Sequence, residues 1–379
     1  MAQLPLELLQ AVAKDMECDP SIFTLRLVSK RLNSAATPLA FRQCVQVITI
    51  NICAIEVETS GEAGRDAVRT VFSALAKFPN LQKLRLHFYS CDEEELTTEY
   101  DKEEGIGKFV HSPTHFLRLQ HEIFAALAAH PPPPLISLTL NNILALSNHI
   151  YRQDNFLRIF QSLKELNISV LSNVDPLNLT QRLVSNSGPL ARSCIKFWRE
   201  NVPQMLRSAP AITSLILRVA NAVGVYPTLS LKDIFSPHLA SLTLRRFVLG
   251  PPAPETDRDV VEWILRHKAT LTRLKLHGCA IDGGPGEAAH GNYPRPWHAV
   301  LAVFEAELGA LCDFMLNPEN FTDGIFCDPH FGYKRMDPDY GYAEEESESK
   351  VPGATQDLPA LESLMAVVKS RRDDKDGSD

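Results

Sequence analysis

One spacing of leucines recurs along most of this 379-residue chain and restricts the folds that it can adopt. The pattern Leu-x-x-Leu-x-Leu, with isoleucine allowed, starts at residues 81, 135, 163, 212, 239 and 271. These starts lie 54, 28, 49, 27 and 32 residues apart, which fits a unit of roughly 27 residues with two doubled gaps. Repeats of this kind pack against their neighbours, so the sequence predicts an array rather than one globular core.

Helical patterns fill the gaps between the leucine triplets. Val68, Phe72 and Leu75 fall at i, i+4 and i+7, and residues 116–129 and 189–205 have helical composition. Strands that alternate with helices favour a parallel sheet with the helices outside it. The predicted fold class is therefore α/β, with a parallel sheet lining a curved solenoid.

Both ends of the array carry further predictions. The stretch from Cys44 to Ile52 alternates as a strand does, and this strand would seal the first edge of the sheet. Near the other end, apolar residues that step by four and three positions predict one long final helix. These residues are Trp297, Leu301, Phe304, Leu308, Leu311 and Met315.

The first 43 residues form a separate unit in this interpretation, with three short helical patterns. In the second helix, Ile22, Leu25 and Val28 share one stripe, and further apolar residues fall on an adjacent stripe. A unit of ~40 residues is near the lower limit for independent folding, so surplus apolar surface needs a covering partner. The pattern alone leaves open whether a second protein or the chain's own next domain covers it.

The opening segment resembles an F-box. The resemblance rests on Leu4-Pro5-x-Glu7-Leu8-Leu9, on Ile22-x-x-Leu25-Arg26-Leu27-Val28-Ser29-Lys30-Arg31-Leu32-Asn33 and on Phe41-Arg42. F-box proteins are substrate receptors of SCF (Skp–cullin–F-box) ubiquitin ligases, and the box docks on the Skp adaptor. The resemblance implies a small three-helix F-box, with cullin and a RING subunit as indirect partners. The implied adaptor contacts are Leu4, Pro5, Leu8, Leu9, Ile22, Leu25 and Val28.

The array resembles degenerate leucine-rich repeats. Its last unit, residues 271–281, matches the longer repeat consensus and has Cys279 at the cysteine position, where the other units carry different residues. The wide spacing and poor consensus are similar to those of fungal F-box proteins with leucine-rich repeats. The segment 359–365 near the end of the chain also looks like that group.

Strand geometry assigns side chains to the concave face of the predicted solenoid. The second and third leucines of each triplet point into the core, so the residues that alternate with them along the strand point the other way. Among these neighbours are one acidic residue and six basic ones, net +5 in a chain of net charge −8. Arg and Lys with hydroxyl neighbours suit carboxylates or phosphates, which predicts binding of an acidic or phosphorylated substrate segment. The candidate substrate-binding residues are Lys83, Arg85, Arg218, Arg245, Arg273 and Lys275.

Two other interpretations of this basic face stay open. The face can simply be solvated, or one of the chain's own acidic segments can lie over it. Residues 92–104 contain eight acids and one base, and residues 337–379 contain twelve acids and five bases. Acidic segments of this kind are commonly solvated.

Composition excludes several functional classes. No apolar run approaches the ~18 residues that span a bilayer, and the opening residues lack the basic start of a secretion signal. Eight cysteines without a Cys-x-x-Cys pair indicate small buried residues in a reducing compartment. Outside its acidic segments the chain is too weakly basic for nucleic-acid binding. We therefore expect a cytoplasmic or nuclear protein with no membrane and no nucleic-acid partner.

Motifs for catalysis are incomplete in this sequence. His121-Glu122 begins a His-Glu-x-x-His zinc motif, but Ala125 stands where the second histidine is needed. Residues 283–286 lack the frame of a dinucleotide or Walker loop, and no Gly-x-Ser-x-Gly elbow occurs. We expect no catalytic residue, no metal site and no cofactor. A hydrolase whose Cys/His or Ser/His pair converges only in the fold is the remaining enzymatic alternative.

The interpretation divides the chain into five parts. They are an F-box at 1–43, a degenerate leucine-rich-repeat array at 44–316 with an acidic insertion near 91–105, an irregular acidic linker at 317–357, a C-terminal helix at 358–372 and a disordered end at 373–379. The predicted function is a non-catalytic substrate-recognition subunit of an SCF-type E3 ubiquitin ligase. The alternative is a leucine-rich-repeat interaction scaffold that works outside any ligase.

Overall fold

A computed structural model describes most of the chain beyond residue 44. The described residues are 45–53, 61–89, 113–171, 189–224, 227–231, 233–250, 260–283, 295–317, 331–336, 343–345 and 351–376. They form an α/β fold with a largely parallel sheet and connecting helices, which confirms the predicted fold class at that level. The predicted F-box at 1–43, with all seven predicted adaptor contacts, lies outside the described residues.

The described residues contain eleven strands that belong to one sheet. The strands are β1 (Val47–Cys53), β2 (Lys83–Tyr89), β3 (Ser137–Leu144), β4 (Glu165–Leu171), β5 (Ser214–Val223), β6 (Ser241–Leu249), β7 (Arg273–His277), β8 (Ala280–Asp282), β9 (Asp313–Asn317), β10 (Gly332–Met336) and β11 (Ala343–Glu345).

Helices lie between most of these strands. They are α1 (Gly61–Ala74), α2 (Pro113–Ala129), α3 (Asp154–Leu157), α4 (Pro189–Lys196), α5 (Val202–Arg207), α6 (Val260–Leu265), α7 (Trp297–Glu307) and α8 (Asp357–Asp376). A π-helical turn, Phe197–Asn201, joins α4 to α5. Within the described part of the chain, no helix combines the length and apolar character needed to cross a bilayer.

The strands lie side by side in the order in which they occur in the chain. β1 to β6 are parallel neighbours, and β7 and then β9 continue the same parallel series. The sheet divides at β6 because its first half pairs with β7 and its second half pairs with β8. From β8 the second branch continues to β10 and β11, and the last pairing is antiparallel.

Pairing places the leucine triplets in register across the sheet. Leu84 in β2 aligns with Leu138 in β3, and Leu215 in β5 aligns with Leu242 in β6. These side chains are buried on the face that packs against the helices, in one hydrophobic cluster that extends from Ile50 to Val368. Successive parallel strands require crossovers of one hand, so the described helices accumulate on the leucine face of the sheet.

A residue with left-handed backbone interrupts three of the strands at equivalent places. Asn142 has φ 61°, Arg246 has φ 60° and Gly278 has φ 53°. Each follows the third outward-facing residue of its strand and precedes a buried residue, so the outward and inward alternation shifts by one position. β7 and β8 are thus the two halves of one strand that bends at Gly278, which explains why β6 pairs with both.

The predicted long final helix is wrong beyond Glu307. Helix α7 ends there because Leu308 leaves helical geometry at φ −86°, ψ 63° and is followed by Gly309. The amides of Cys312 and Asp313 then donate to the carbonyl of Thr272 at 2.9 and 3.0 Å, and β9 begins. The sequence Leu311-x-x-Phe314-x-Leu316 is therefore a further unit of the repeat, with phenylalanine in one leucine position.

The chain after β9 is more regular than its composition indicates. The segment predicted as an irregular linker, 317–357, contributes β10 and β11, which extend the sheet through short backbone pairings. Helix α8 extends to Asp376, past the predicted end at residue 372. It packs against α7, and Arg371 donates from its guanidinium to the carbonyls of Glu305 (2.9 Å) and Leu308 (2.8 Å) at the end of that helix.

Candidate binding face of the sheet

The face of the sheet opposite the leucines carries three rows of side chains, which we call the polar face. The first row is Val47, Lys83, Ser137, Glu165, Ser214, Ser241, Arg273 and Asp313. The second row is Thr49, Arg85, Thr139, Asn167, Ile216, Thr243, Lys275 and Met315. The third row, two residues further along each strand, is Asn51, His87, Asn141, Ser169, Arg218, Arg245 and His277.

Acidic residues balance the cations of the first row. Lys83 Nζ lies 3.6 Å from Glu165 Oε2 and reaches it across Ser137, the small residue on the intervening strand. Arg273 Nε donates to Asp313 Oδ2 at 2.8 Å on the adjacent strand. The second and third rows contain no acidic residue, so both carboxylates of the described polar face belong to these pairs.

Cations of the second and third rows gather at β5, β6 and β7. The register places Arg218 beside Arg245 and Arg245 beside His277, in the third row of three consecutive strands. Lys275 stands on the same face of β7, two residues before His277. We call Arg218, Arg245, Lys275 and His277 the basic cluster.

The electrostatics of the basic cluster are unfavourable for any further positive charge. Partial burial lowers the pKa of His277, and the nearby charges of Arg218, Arg245 and Lys275 lower it further. Partial burial also lowers the pKa of Arg218, because its guanidinium has lost some of the water that stabilises its charge. The cluster therefore combines a neutral imidazole with three cations in a partly desolvated setting, which is an arrangement suited to an anion.

The opposite end of the polar face is less charged. His87 Nδ1 and Asn141 Nδ2 lie 3.0 Å apart on adjacent strands. Burial lowers the pKa of His87, and the charge of Arg85 lowers it further, so this imidazole accepts a hydrogen bond while it is neutral. Arg85 is exposed, and the polar residues of the two intervening strands, β3 and β4, separate it from Arg218 on β5.

The six predicted substrate-binding residues share one face of the sheet but do not form one group. Arg218, Arg245 and Lys275 come together in the basic cluster, Lys83 and Arg273 are engaged by carboxylates, and Arg85 stands apart on β2. Sequence reasoning did not include His277 in the candidate site. It also missed Asp313, because β9 was predicted as helix, and with Asp313 the polar face has six basic and two acidic residues, net +4.

His121, the first residue of the incomplete zinc motif on α2, makes contacts with neighbouring side chains. Asn148 Nδ2 donates to His121 Nδ1 at 2.8 Å, and the ring of His149 lies 5.2 Å from that of His121. Among the residues that the structure describes, no three His, Cys, Asp or Glu side chains come together as a metal site. Burial raises the pKa of both the Cys194 and the Cys279 thiol to about 12, so neither is a thiolate nucleophile at neutral pH.

Cys279 has a structural role instead. It occupies the consensus cysteine position of the last sequence triplet, and its thiol lies 3.6 Å from the carbonyl of Leu244 on β6, to which it donates. This contact bridges β6 to the bend between β7 and β8, close to the basic cluster.

Comparison with known proteins adds no family assignment: no protein-family model matches this sequence, and the search of curated proteins finds no significant match.

Proposed function

We propose that this chain is the substrate-recognition subunit of an SCF-type E3 ubiquitin ligase. In this proposal residues 1–43 are an F-box that docks on a Skp-type adaptor, through Leu4, Pro5, Leu8, Leu9, Ile22, Leu25 and Val28. The polar face of the sheet binds a protein substrate. The F-box half of the proposal is supported by the sequence resemblance, and the substrate half by the geometry of the sheet.

The repeated register supports the proposal that the array is a degenerate leucine-rich-repeat solenoid. Eight parallel strands follow one another in chain order, with their leucine positions aligned and helices between them. The left-handed residues Asn142, Arg246 and Gly278 recur at equivalent places, as expected when one structural unit is repeated. In such arrays the face without helices is the usual binding surface.

The basic cluster is the observation that carries the proposed substrate preference. The first-row cations have acidic partners, whereas Arg218 and Lys275 lie in rows that contain no acid on the described strands. Cations close to one another on neighbouring strands repel, and an anion bound beside them would lower this repulsion. We therefore propose an acidic or phosphorylated degron as the bound segment.

No catalytic group is needed for this function. A receptor that binds an adaptor at one end and a substrate at the other holds a substrate lysine near the ubiquitin-conjugating enzyme. The gain is an increase in effective concentration, which lowers the barrier without chemistry by the receptor itself. The chain would accordingly need no cofactor, and its direct partners would be the adaptor and the substrate.

Affinity capture from cell extract tests the ligase assignment. Wild-type protein should recover the Skp-type adaptor and a cullin, whereas Leu4→Ala/Pro5→Ala should recover neither. A matched control, Gln10→Ala/Lys14→Ala, changes polar residues of the same segment outside the proposed contact set and should behave as wild type. Recovery of neither partner by wild type would contradict the assignment.

Charge reversal tests the substrate face. The variant Arg218→Glu/Arg245→Glu/Arg273→Glu/Lys275→Glu should keep the adaptor and the cullin, because these residues lie on the sheet. It should lose the further proteins that become ubiquitinated in the wild-type complex. Unchanged ubiquitination of those proteins would exclude the polar face as the substrate site.

The alternative function is an interaction scaffold that acts outside any ligase. The observation that favours it is that one hydrophobic cluster extends through the described array from Ile50 to Val368, so the array offers a continuous folded surface for a partner. A scaffold of this kind would bind its anionic partner through the same face. It would still do so after Leu4→Ala/Pro5→Ala, and no ubiquitination activity would accompany it.

A further inference from the structure

We infer that residues 1–43 cap the first edge of the sheet, and that Phe23 and Leu27 lie at the contact with strand β1. The inference concerns the packing of the chain on itself, and its meaning for a ligase rests on the proposed function. In that function the predicted second helix has two partners, with the array on one side and the adaptor on the other.

The first unit of the array is less buried than the units that follow it. The register of β1 with β2 places Ile48 and Ile50 at the second and third leucine positions, and Val45 precedes them at the first. Val45 and Ile48 are only partly buried. In each later unit, from Leu81 to Phe314, the side chains at these two positions are at most 3% exposed. The first unit therefore lacks cover that every later unit has.

An apolar side chain also stands on the other face of β1. Val47 is 47% exposed and opens the first row of the polar face, in which every other member is polar or charged. Within the described residues, β1 pairs with β2 alone. Apolar side chains thus flank the free edge of this strand on both faces. An exposed apolar edge favours association, and proteins commonly cover such an edge with another element.

The last edge of the array shows how this chain closes the opposite end. Helix α8 packs there, with Leu364 and Val368 buried in the hydrophobic cluster. Arg372 Nε donates to the carbonyl of Cys312 at 2.9 Å. The equivalent carbonyl of the preceding unit, that of Thr272, accepts two amides of the next strand instead. Helix α8 thus supplies a donor where the described part of this series has no further strand, as a terminal cap of a solenoid does.

Residues 1–43 are the segment placed to do the same at the first edge. They are joined to β1 by the chain itself, so the contact is intramolecular and has an effective concentration on the order of millimolar. The 18 residues from Leu27 to Val45 span about 27 Å if they are helical, which keeps the second helix within reach of β1. A unit of ~40 residues is also near the lower limit for independent folding, so it gains stability from packing on the array.

Helical periodicity selects the side of the second helix that faces the array. Phe23 and Leu27, four residues apart, lie on one side of a helix with 3.6 residues per turn. Ile22, Leu25 and Val28 lie on a different side, and this is the side proposed for the adaptor. One adaptor surface does not cover both sides. The apolar edge of β1 matches the remaining side in chemistry.

This packing makes adaptor binding depend on the array. The contact stabilises the folded form of residues 1–43, which is the form that binds an adaptor. Loss of the contact lowers the population of that form and hence the apparent affinity. Val47 is then a determinant of adaptor affinity although it is not an adaptor contact. We expect Val47→Asp to weaken adaptor binding by roughly threefold or more.

Methyl NMR on the full chain tests the contact directly. With labelled Ile and Val methyl groups and protonated Phe rings, we expect nuclear Overhauser effects from the methyl groups of Val47 and Ile48 to the ring of Phe23. These signals are assigned by their loss in Phe23→Leu. Absence of any signal from β1 that Phe23→Leu removes would overturn the inference.

Two exposed valines provide a matched pair of variants. Val47 is 47% exposed and Val303, on α7, is 37% exposed. In hydrogen exchange of the full chain, Val47→Asp should speed exchange of the amides of residues 1–43 by roughly tenfold or more, because a buried contact is lost. Val303→Asp should change these rates by less than about twofold, and the amides of β3 should be unchanged in both. Equal effects of the two variants on residues 1–43 would contradict the cap.

Failure of this inference is distinguishable from failure of the proposed function. If Val47→Asp speeds exchange in residues 1–43 but wild type binds no adaptor, the cap stands and the ligase assignment fails. If wild type binds the adaptor but the signal from β1 to Phe23 is absent, the ligase assignment stands and the cap fails.

Discussion

The hydroxyl of Tyr333 donates a 2.5 Å hydrogen bond to Oδ2 of Asp357, a carboxylate with no exposure to solvent. The other oxygen, Oδ1, accepts from the amide of His298 at 2.7 Å and contacts its Nδ1 at 3.1 Å. One side chain thereby joins strand β10, the start of α7 and the start of α8. This contact holds the C-terminal helix against the last units of the array.

Removal of this carboxylate should destabilise the protein. In Asp357→Ala, the Tyr333 hydroxyl and the His298 amide lose their acceptors inside the core, which costs about 2–4 kcal/mol of unfolding free energy. Urea unfolding of the full chain measures this loss. The matched control, Asp373→Ala, changes an exposed acid of the same helix and should fall within about 0.5 kcal/mol of wild type. A loss of similar size in both variants would contradict the role of Asp357.

The bend between β7 and β8 depends on glycine. Gly278 has φ 53°, so Gly278→Ala places a Cβ in a left-handed backbone and should cost about 1–2 kcal/mol of stability. Gly309→Ala is the matched control, because an added Cβ there meets nothing within 4 Å and the backbone is not left-handed. Equal stability of the two variants in urea unfolding would show that the left-handed geometry at Gly278 is not required.

Protonation of the buried His267 side chain should make the free energy of unfolding depend on pH. His267 is 2% exposed, donates from Nδ1 to the Trp263 carbonyl at 2.9 Å and accepts at Nε2 from the Ser236 amide at 3.2 Å. Burial is the main cause that lowers the pKa of His267 below its ordinary 6.5. The unfolded chain therefore binds the proton first, and stability falls as pH decreases from 6.5 toward the folded pKa.

Measurements of unfolding free energy at decreasing pH check the direction of this effect. His267→Gln should lose less unfolding free energy than wild type between neutral and mildly acidic pH, whatever its stability at neutral pH. His238→Gln, at an exposed position near the same loop, should follow the wild-type curve. A steeper acid loss in His267→Gln would contradict the assignment. His87 and His277 have pKa values lowered in the same direction, so a residual slope is expected.

The leucine triplets predicted the strands well because alternate residues of each strand must be apolar to be buried against the helices. Six triplets gave six strands in register, and the alternation after Cys44 gave β1. Strand β9 was missed because Phe314 replaces leucine and because Leu308, Leu311 and Phe304 also fit helical spacing. Periodicity cannot separate these patterns over so few residues; the Leu308-Gly309 break was the available signal.

The polar face was only partly predictable, because alternation shows which residues share a face but not which side chains contact each other. Strand alternation predicted that Arg218, Arg245 and Lys275 would share a face, and pairing places Arg218 beside Arg245, with Lys275 two residues before the partner of Arg245 on β7. The sequence could not show that Lys83 reaches Glu165 across an intervening strand, since that contact depends on side-chain length and the small Ser137 between them. Strands β8, β10 and β11 are only three to five residues long, too short for an alternation signal.

Substitutions in β9 distinguish the observed strand from the helix that the sequence predicted. Phe314 is 3% exposed and packs edge-on against Phe304, with ring centroids 6.5 Å apart, whereas Met315 stands on the polar face. Phe314→Ala should cost about 3–4 kcal/mol of unfolding free energy, and Met315→Ala less than about 1 kcal/mol. A larger loss in Met315→Ala would favour the helix, in which Met315 was the core residue.

A binding titration with a purified Skp-type adaptor tests the central claim most directly. Wild-type chain should bind the adaptor saturably with 1:1 stoichiometry, and Arg218→Gln/Arg245→Gln should bind it equally well. Leu4→Ala/Pro5→Ala should bind at least roughly thirtyfold more weakly, because truncation of buried apolar contacts at an interface removes a large share of its affinity. Failure of the folded wild-type chain to bind, or undiminished binding by Leu4→Ala/Pro5→Ala, would contradict the proposal that this protein is a ligase receptor.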